Sequence, residues 1–169
     1  MPSLRRNDAT STSSTFDAGN QSFTVSAWVR PVRTDGTFVV LGQDGATNGR
    51  FALQWSGGCA CWEFVSADTD EAATTTVQAV SAPAMPLNTW THLAAVHDAA
   101  AGTLRLYENG ELADTATYTA APWNATGDFV VGRGLINDVN NGWFPGDIDA
   151  VRARQGVVGL DEIRWWMTF

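Results

Sequence analysis

Acidic side chains are the first candidates for chemistry, because a glycosidase needs two carboxyl groups roughly 5 to 9.5 Å apart around the bond it breaks. Asp147 and Asp149 are two positions apart and would share one face of a strand, but Val151 stands where a third acid would extend the run. Glu63 stands alone on its predicted strand, and Asp68-Thr69-Asp70-Glu71 has the loop character of a solvated surface. These acids do not form a convincing catalytic set.

Histidine is the next candidate, since a lyase needs a His or Tyr base beside a neutralising Arg or Asn. His92 and His97 are five positions apart on one predicted strand, so they should point to opposite faces of a sheet. We interpret both as structural histidines of that strand. The sequence also contains no Ser/His/Asp spacing and no Gly-rich phosphate loop. We therefore predict that the protein is not an enzyme.

Cys59 and Cys61 are the only two cysteines. In an extended strand their Cα atoms would lie about 6.6–7 Å apart, which is long for a disulfide. Gly57-Gly58 could bend the chain enough to close a small ring in an oxidising compartment. Two thiols alone cannot build a four-ligand zinc site. The sequence leaves two alternatives open, a local disulfide or two reduced, partly buried thiols.

Eight tryptophans are a heavy load for this length. Trp28 and Trp90 lie within predicted strands, where core packing is expected. Four others flank a Gly-rich turn or lie in loops rich in Pro, Asn and Gly, where they could either cover sheet edges or stack on sugar rings beside polar groups. The residues that we predict to bind a ligand are Trp55, Trp62, Trp123, Trp143, Asn140, Asn141 and Arg133, with Gln54, Asn124 and Asn137 as further polar partners.

The elements that must position these residues are short strands. Runs rich in β-branched and aromatic residues alternate with Gly, Asn, Asp and Pro, and Asn109-Gly110 is a strong hairpin signal. About ten strands with turns every 8–12 residues predict an all-β protein, an antiparallel jelly-roll β-sandwich without a sustained helix. The predicted strands are 22–32, 37–41, 50–55, 61–67, 74–80, 90–98, 103–108, 111–118, 128–132 and 146–154.

The chain length of 169 residues predicts one domain. We expect a leader or linker at residues 1–15, the sandwich at 16–164 and an apolar tail at 165–169. The formal net charge of −8 argues against nucleic-acid and anionic-lipid partners. No apolar run is long enough to span a bilayer.

Six motifs in order resemble those of a known family. They are Ser22-Phe23-Thr24-Val25-Ser26-Ala27-Trp28-Val29, Trp90-Thr91-His92-Leu93-Ala94-Ala95-Val96-His97-Asp98, Leu104-Arg105-Leu106-Tyr107-Glu108-Asn109-Gly110, Val131-Gly132-Arg133, Pro145-Gly146-Asp147-Ile148-Asp149-Ala150-Val151-Arg152 and Leu160-Asp161-Glu162-Ile163. The sequence resembles laminin G-like domains of the concanavalin A-like lectin/glucanase superfamily, of the type common in secreted actinobacterial proteins. The resemblance implies a jelly roll and a secreted, extracellular protein. It does not select a function, because this fold hosts lectins, adhesion domains, glycosidases and lyases.

The resemblance also implies a structural calcium ion, since such domains often bind calcium through an acid of the Ile-Asp-x-Val-Arg strand and N-terminal carbonyls. By position that acid is Asp149, with Asp17 or its neighbours opposite. Separately, residues 138–142, Asp-Val-Asn-Asn-Gly, could begin a calcium loop or form an ordinary turn.

We therefore predict a non-catalytic, lectin-like module of a larger secreted protein that binds carbohydrate through loop tryptophans. The alternative is a module that binds another protein or domain, which an apolar patch at Trp165, Trp166, Met167 and Phe169 would favour. A glycosidase or polysaccharide lyase is the third hypothesis and would require paired acids facing a groove.

Overall fold

The computed structural model describes residues 9–11, 16, 18–19, 21–84 and 86–168. Within them there are thirteen strands and one short helix, and eleven of the strands form two packed antiparallel sheets. The strands are β1 (Ala9–Ser11), β2 (Phe23–Pro31), β3 (Thr37–Asp44), β4 (Gly49–Ser56), β5 (Cys61–Ala67), β6 (Thr76–Val80), β7 (Thr91–Asp98), β8 (Thr103–Glu108), β9 (Glu111–Thr117), β10 (Phe129–Val131), β11 (Gly134–Ile136), β12 (Val139–Asn141) and β13 (Gly146–Gln155), and the helix is α1 (Leu160–Trp166).

The larger sheet has six strands in the order β1-β10-β3-β4-β5-β6, and the smaller has five in the order β13-β2-β7-β8-β9. Strands β11 and β12 form a separate hairpin. Strands that are distant in sequence, such as β10 and β3 or β13 and β2, pair antiparallel. The predicted jelly-roll β-sandwich is confirmed.

The main core lies between the two sheets and follows strand alternation. On β2, the alternating residues Phe23, Val25, Ala27 and Val29 are all buried in this core. The six-stranded sheet contributes larger side chains from β3, β4 and β5 to the same layer. These include Leu41, Phe51, Leu53, Trp55, Trp62 and Phe64.

Two tight hairpins have residues with positive φ at both central positions. Asn109 (φ 50°) and Gly110 (φ 76°) connect β8 to β9, as the Asn-Gly signal predicts. Asn137 (φ 49°) and Asp138 (φ 64°) connect β11 to β12 in the same way. Residues 138–142 therefore form part of a hairpin, as the ordinary-turn alternative predicts, and calcium binding by this segment stays a prediction.

The two ends of the chain differ from expectation. Residues Ala9–Ser11, within the predicted leader, pair with β10 and extend the six-stranded sheet. Residues Leu160–Trp166 form a helix that begins inside the predicted domain and continues into the predicted tail. A segment of seven residues is too short to show a clear helical periodicity in its sequence. The helix therefore depends on tertiary packing. In the described chain, α1 is too short to cross a membrane.

Candidate functional site

A cavity lies on the outer face of the six-stranded sheet. Its floor is a row of residues that are side by side on four neighbouring strands, Val130 on β10, Gly42 on β3, Ala52 on β4 and Val65 on β5. The next residues along these strands turn into the main core, so this row faces outward. Gly42 must be glycine, because a Cβ atom there would lie 2.4 Å from the carbonyl oxygen of Phe51.

Two walls convert this floor into a trough of about 360 Å³, within the usual range of small-molecule sites. One wall is the β11–β12 hairpin, which contributes Leu135, Ile136 and Asn137, and the other is the segment 72–74 before β6. We call this cavity, with its floor and both walls, the outer trough. Its polar lining residues include Asp44, Asn48, Gln54, Thr74, Thr76 and Asn137.

Asn48 holds the two walls together. Its side-chain oxygen accepts a hydrogen bond from the backbone N–H of Asn137 at 2.9 Å, and its side-chain nitrogen donates to the carbonyl of Glu71 at 2.7 Å. The Asn48 side chain is buried, so these bonds are shielded from water. A single amide therefore sets the width of the trough at this end.

Asp70 fixes the loop between β3 and β4. Its carboxylate accepts hydrogen bonds from the backbone N–H groups of Ala46 (2.6 Å), Thr47 (2.9 Å) and Asn48 (2.8 Å). Burial raises the pKa of Asp70, but these three donors outweigh burial and hold the pKa below its ordinary value. The predicted solvated acidic cluster thus contains one residue that shapes the site.

Asp44 and Arg133 form an ion pair at one end of the trough. The guanidinium donates to Oδ2 of Asp44 at 2.8 Å, and both side chains are nearly buried. Arg133 is therefore nearly buried in this ion pair, and its predicted contact with a sugar stays a prediction. Oδ1 of Asp44 is buried and meets no donor among the described residues. Burial raises the pKa of Asp44, and the attraction of Arg133 offsets this only in part.

At the other end, Gln54 on β4 donates its side-chain N–H to Oε2 of Glu63 on β5 at 2.8 Å. Cys59 and Cys61 form a disulfide beside them, with Cα atoms 5.2 Å apart. The chain closes to this distance because it leaves the extended conformation in the turn before β5, where Ala60 has φ 52°. Of the two alternatives open from the sequence, the structure contains the local disulfide.

Trp55 and Trp62 do not bind ligand, and this part of the predicted set is wrong. Their exposed fractions are 1% and 0%, and their ring centroids are 5.1 Å apart in the main core. The paired strands β4 and β5 include both tryptophans, so the two rings are not part of the Gly-rich turn at the surface. The Trp55 N–H donates to the carbonyl of Thr34.

Trp123 is also engaged within the protein. Its indole N–H donates to the carbonyl of Ala67 at 3.0 Å, and the guanidinium of Arg50 lies 5.4 Å from its ring. The half-buried ring packs over Arg50 and does not offer an open stacking surface.

Trp143 is the member of the predicted set that lies exposed beside the trough. Its side chain is 44% exposed, and its backbone pairs with that of Val39, a trough residue. Asn140 and Asn141 are exposed on the neighbouring β12, and Oδ1 of Asn141 accepts from the N–H of Gly142. The structure thus brings Trp143 and trough amides to one sheet face.

Asp149, one of the two expected calcium ligands, lies away from the outer trough. Asp149 is exposed on β13, and its carboxylate accepts from the next N–H, that of Ala150. Asp17 lies outside the described residues. Within the described chain, Asp149 is not grouped with two further His, Cys, Asp or Glu ligands. The calcium expectation stays a prediction.

Asp147 and Asp149 also do not face the trough. Ile148 between them packs on the main core, so both acids lie on the outer face of the five-stranded sheet. Asp147 forms an ion pair with Arg30 at 2.6 Å. This pair of acids is remote from the cavity that could hold a substrate.

Both histidines are buried, on opposite faces of β7 as predicted. His97 packs against Phe23 in the main core, with ring centroids 5.2 Å apart. His92 packs against Trp28 on the outer face of the same sheet at 5.3 Å. Burial lowers the pKa of each histidine to about 4. His92 is fully buried, whereas His97 is 5% exposed and borders a second cavity together with Arg50 and Tyr118.

Sequence reasoning missed most of the outer trough. Asp44, Asn48 and Thr74 lie at strand ends or in loops, and their spacing carries no motif. Only Gln54 and Asn137, named as polar partners of the tryptophans, belong to it. The row of small residues across the floor becomes visible only after the strand register is known.

Comparisons with known proteins agree with this architecture. A family model described as the concanavalin A-like lectin/glucanases superfamily matches residues 5–164. No curated protein matches the chain significantly.

Several solved structures have the same fold at low sequence identity. The CBM40 of the Ruminococcus gnavus IT-sialidase, bound to α2,3-sialyllactose, is 16% identical with a TM-score of 0.68, and the match covers 87% of this chain and 83% of that one. Domain 4 of the Geobacillus stearothermophilus arabinanase AbnA, in complex with arabinotriose, is 22% identical with a TM-score of 0.61, covering 88% and 66%. A heptameric SAP-like pentraxin from Limulus polyphemus is 12% identical with a TM-score of 0.65, covering 86% and 69%.

Proposed function

Since the chain belongs to the concanavalin A-like lectin/glucanases superfamily, we propose that it is a non-catalytic carbohydrate-binding module whose sugar site is the outer trough. The observation that carries this proposal is the lining of the trough. A floor of small apolar residues is flanked by an amide (Asn137) and a hydroxyl group (Thr74) on the two walls and by the carboxylate of Asp44 at one end. Sugars need this combination, because their C–H faces are apolar and their hydroxyl groups require donors and acceptors.

The unpaired oxygen of Asp44 supports a polar ligand. A buried acceptor without a donor costs about 1–3 kcal/mol, and a hydroxyl group in the trough would satisfy it. Trp143 supplies the aromatic surface at the rim on which a sugar ring can stack. The stacking role thus passes from four predicted tryptophans to one.

Two of the structural neighbours were solved with sugars, namely sialyllactose and arabinotriose. We extend only the class of ligand, a carbohydrate, to this chain. The disulfide supports an oxidising, extracellular location, where such bonds persist.

The engagement of Asp44 in the trough and of Glu63 next to it supports binding without catalysis. Asp44 is paired with Arg133, and Glu63 accepts a hydrogen bond from Gln54. An acid–base pair for glycoside hydrolysis needs one protonated and one open carboxyl group on either side of the bond. The carboxylates of Asp44 and Glu63 are both engaged by partners within the protein.

The proposal is tested by screening the folded protein on a glycan array, with calcium and with a chelator, and then measuring the affinity for the best ligand by calorimetry. We expect Ala52→Leu, which fills the floor, to abolish binding. We expect Trp143→Ala to weaken it about tenfold, equivalent to about 1.4 kcal/mol. Trp165→Ala is the matched control, since Trp165 is exposed on the helix α1 and should bind as the parent does.

Each outcome decides a separate point. Binding that survives Ala52→Leu would place the sugar outside the outer trough. Binding that disappears only in chelator would support the expected calcium ion. The absence of any glycan ligand in both buffers would overturn the carbohydrate proposal and favour the protein-interaction alternative.

A further inference from the structure

A second cluster of reactive side chains lies at the start of β5. The sulfur atoms of Cys59 and Cys61 and a carboxylate oxygen of Glu63 all lie within 4.8 Å of one another. Among the described residues no other group of three His, Cys, Asp or Glu side chains is so close. In the oxidised protein both sulfurs are used by the disulfide.

The carboxylate of Glu63 is already positioned towards the sulfurs. Its Oε1 lies 3.6 Å from Sγ of Cys59, whereas its Oε2 accepts the hydrogen bond from Gln54 at 2.8 Å. Metal-binding carboxylates in proteins are commonly oriented by such an outer hydrogen bond. Oε1 can therefore bind a cation without loss of the bond between Oε2 and Gln54.

The distance between the Cys59 sulfur and the Glu63 oxygen suits two ligands of one tetrahedral ion. Ligand atoms at about 2.3 Å for sulfur and about 2.1 Å for oxygen lie roughly 3.5–3.8 Å from one another on such an ion. The Cys59–Glu63 distance already has this value. Cys59 is exposed in the turn before β5, so its sulfur can move away from that of Cys61 once the disulfide opens.

We propose that reduction of the Cys59–Cys61 disulfide creates a binding site for one thiophilic divalent cation, such as Zn²⁺, with Cys59, Cys61 and Glu63 as ligands. A dithiol reductant breaks the S–S bond, is itself oxidised to a disulfide, and leaves two thiols on the protein. The cation then replaces the two thiol protons, which pass to solvent. Three protein ligands leave the fourth position to water, as in open zinc sites.

This site is distinct from the proposed sugar site, although Gln54 borders both. The disulfide excludes the metal, so the redox state of two residues controls binding. Two cysteines alone do not complete such a site, and the third ligand comes from Glu63, which the sequence shows only as an isolated acid on its strand.

The test uses Cd²⁺ as a spectroscopic probe, because thiolate–cadmium bonds absorb in the ultraviolet. The protein is reduced with a phosphine, freed of the reductant without oxygen, and titrated with Cd²⁺. We expect the charge-transfer band to rise and to saturate at one ion per chain. The oxidised protein and the double variant Cys59→Ser/Cys61→Ser should show no band.

Glu63→Gln tests the carboxylate, and Glu111→Gln on β9 of the other sheet is its matched control. We expect Glu63→Gln to weaken Cd²⁺ binding at least tenfold and Glu111→Gln to leave it unchanged. Gln54→Ala should weaken binding by about 10- to 100-fold, the usual effect of losing an outer-shell partner.

Three results would overturn the proposal. The first is a reduced protein that shows no charge-transfer band, and the second is a Glu63→Gln variant that binds Cd²⁺ as tightly as the parent. The third is saturation at one ion per two chains, because the metal would then bridge two molecules. Tryptophan fluorescence monitors folding throughout, and a reduced chain that loses its fold would equally exclude a preformed site. Glycan binding by the oxidised protein is measured separately, so failure of either proposal leaves the other to stand alone.

Discussion

His92 and His97 make the stability of the protein depend on pH. Both are buried on β7, which disfavours the charged imidazolium, and each has a nearby cation, Arg152 for His92 and Arg50 for His97. Their pKa values fall from 6.5 to about 4. Asp98 and the backbone of Gln21 oppose this shift at His97 but do not cancel it.

The sign of the effect follows from proton uptake. Between pH 6.5 and 4 the unfolded chain binds protons at these histidines and the folded chain does not, so the free energy of unfolding falls as pH falls through this range. We expect a loss on the order of 3 kcal/mol per histidine by pH 4. Urea unfolding at pH 7 and pH 4.5 measures it. His92→Leu should remove about half of the decrease, and an unchanged decrease in that variant would contradict the assignment.

At the scale of single elements, the helix α1 depends on packing. Trp166 and Ile163 are buried against Ala94, Val96 and Tyr107 on the outer face of the five-stranded sheet. Arg152 on β13 donates a hydrogen bond to the carbonyl of Trp166 at 3.0 Å, at the end of the helix where carbonyl groups lack partners. Of the expected apolar patch of the tail, Trp166 is thus covered within the molecule and Trp165 is exposed, while Phe169 lies outside the described residues.

Two adjacent tryptophans test this arrangement. Trp166 is 4% exposed and Trp165 is 58% exposed. We expect Trp166→Ala to lower the free energy of unfolding by about 3–5 kcal/mol, because it leaves a cavity between α1 and the sheet. Trp165→Ala should change it by less than about 0.5 kcal/mol. Denaturant unfolding of both variants provides the comparison, and equal losses would mean that α1 does not dock as described.

At the scale of the whole molecule, the strand β1 covers the edge of β10 and becomes the edge strand of the six-stranded sheet. It pairs through Ala9, Thr10 and Ser11 with β10, which would otherwise present unpaired backbone groups. The N-terminal segment is therefore part of the sandwich at these residues.

Truncation measures the contribution of β1. A chain that starts at residue 9 keeps the strand, and one that starts at residue 12 lacks it. We expect the shorter chain to lose about 1–3 kcal/mol, the value of a few backbone hydrogen bonds, and to self-associate through the free edge of β10. Thermal unfolding and sedimentation of the two chains test this. Identical stability would show that the pairing with β10 contributes nothing.

The sequence by itself determined the sandwich. The alternation on β2 and the Asn109-Gly110 turn depend on neighbours within a few positions, and local patterns encode them directly. The opposite orientation of His92 and His97 follows from the same periodicity. Ten short predicted strands accordingly correspond to observed ones.

Only the tertiary structure decided which face holds a site. Trp55 and Trp62 are of the residue type expected to stack on sugars, but their strands direct both rings into the core. The floor of the outer trough is formed instead by small residues that lie side by side on four strands, namely Val130, Gly42, Ala52 and Val65. The pairing of Asp44 with Arg133 joins residues 89 positions apart. Such contacts depend on the register between distant strands, and no local pattern carries that information.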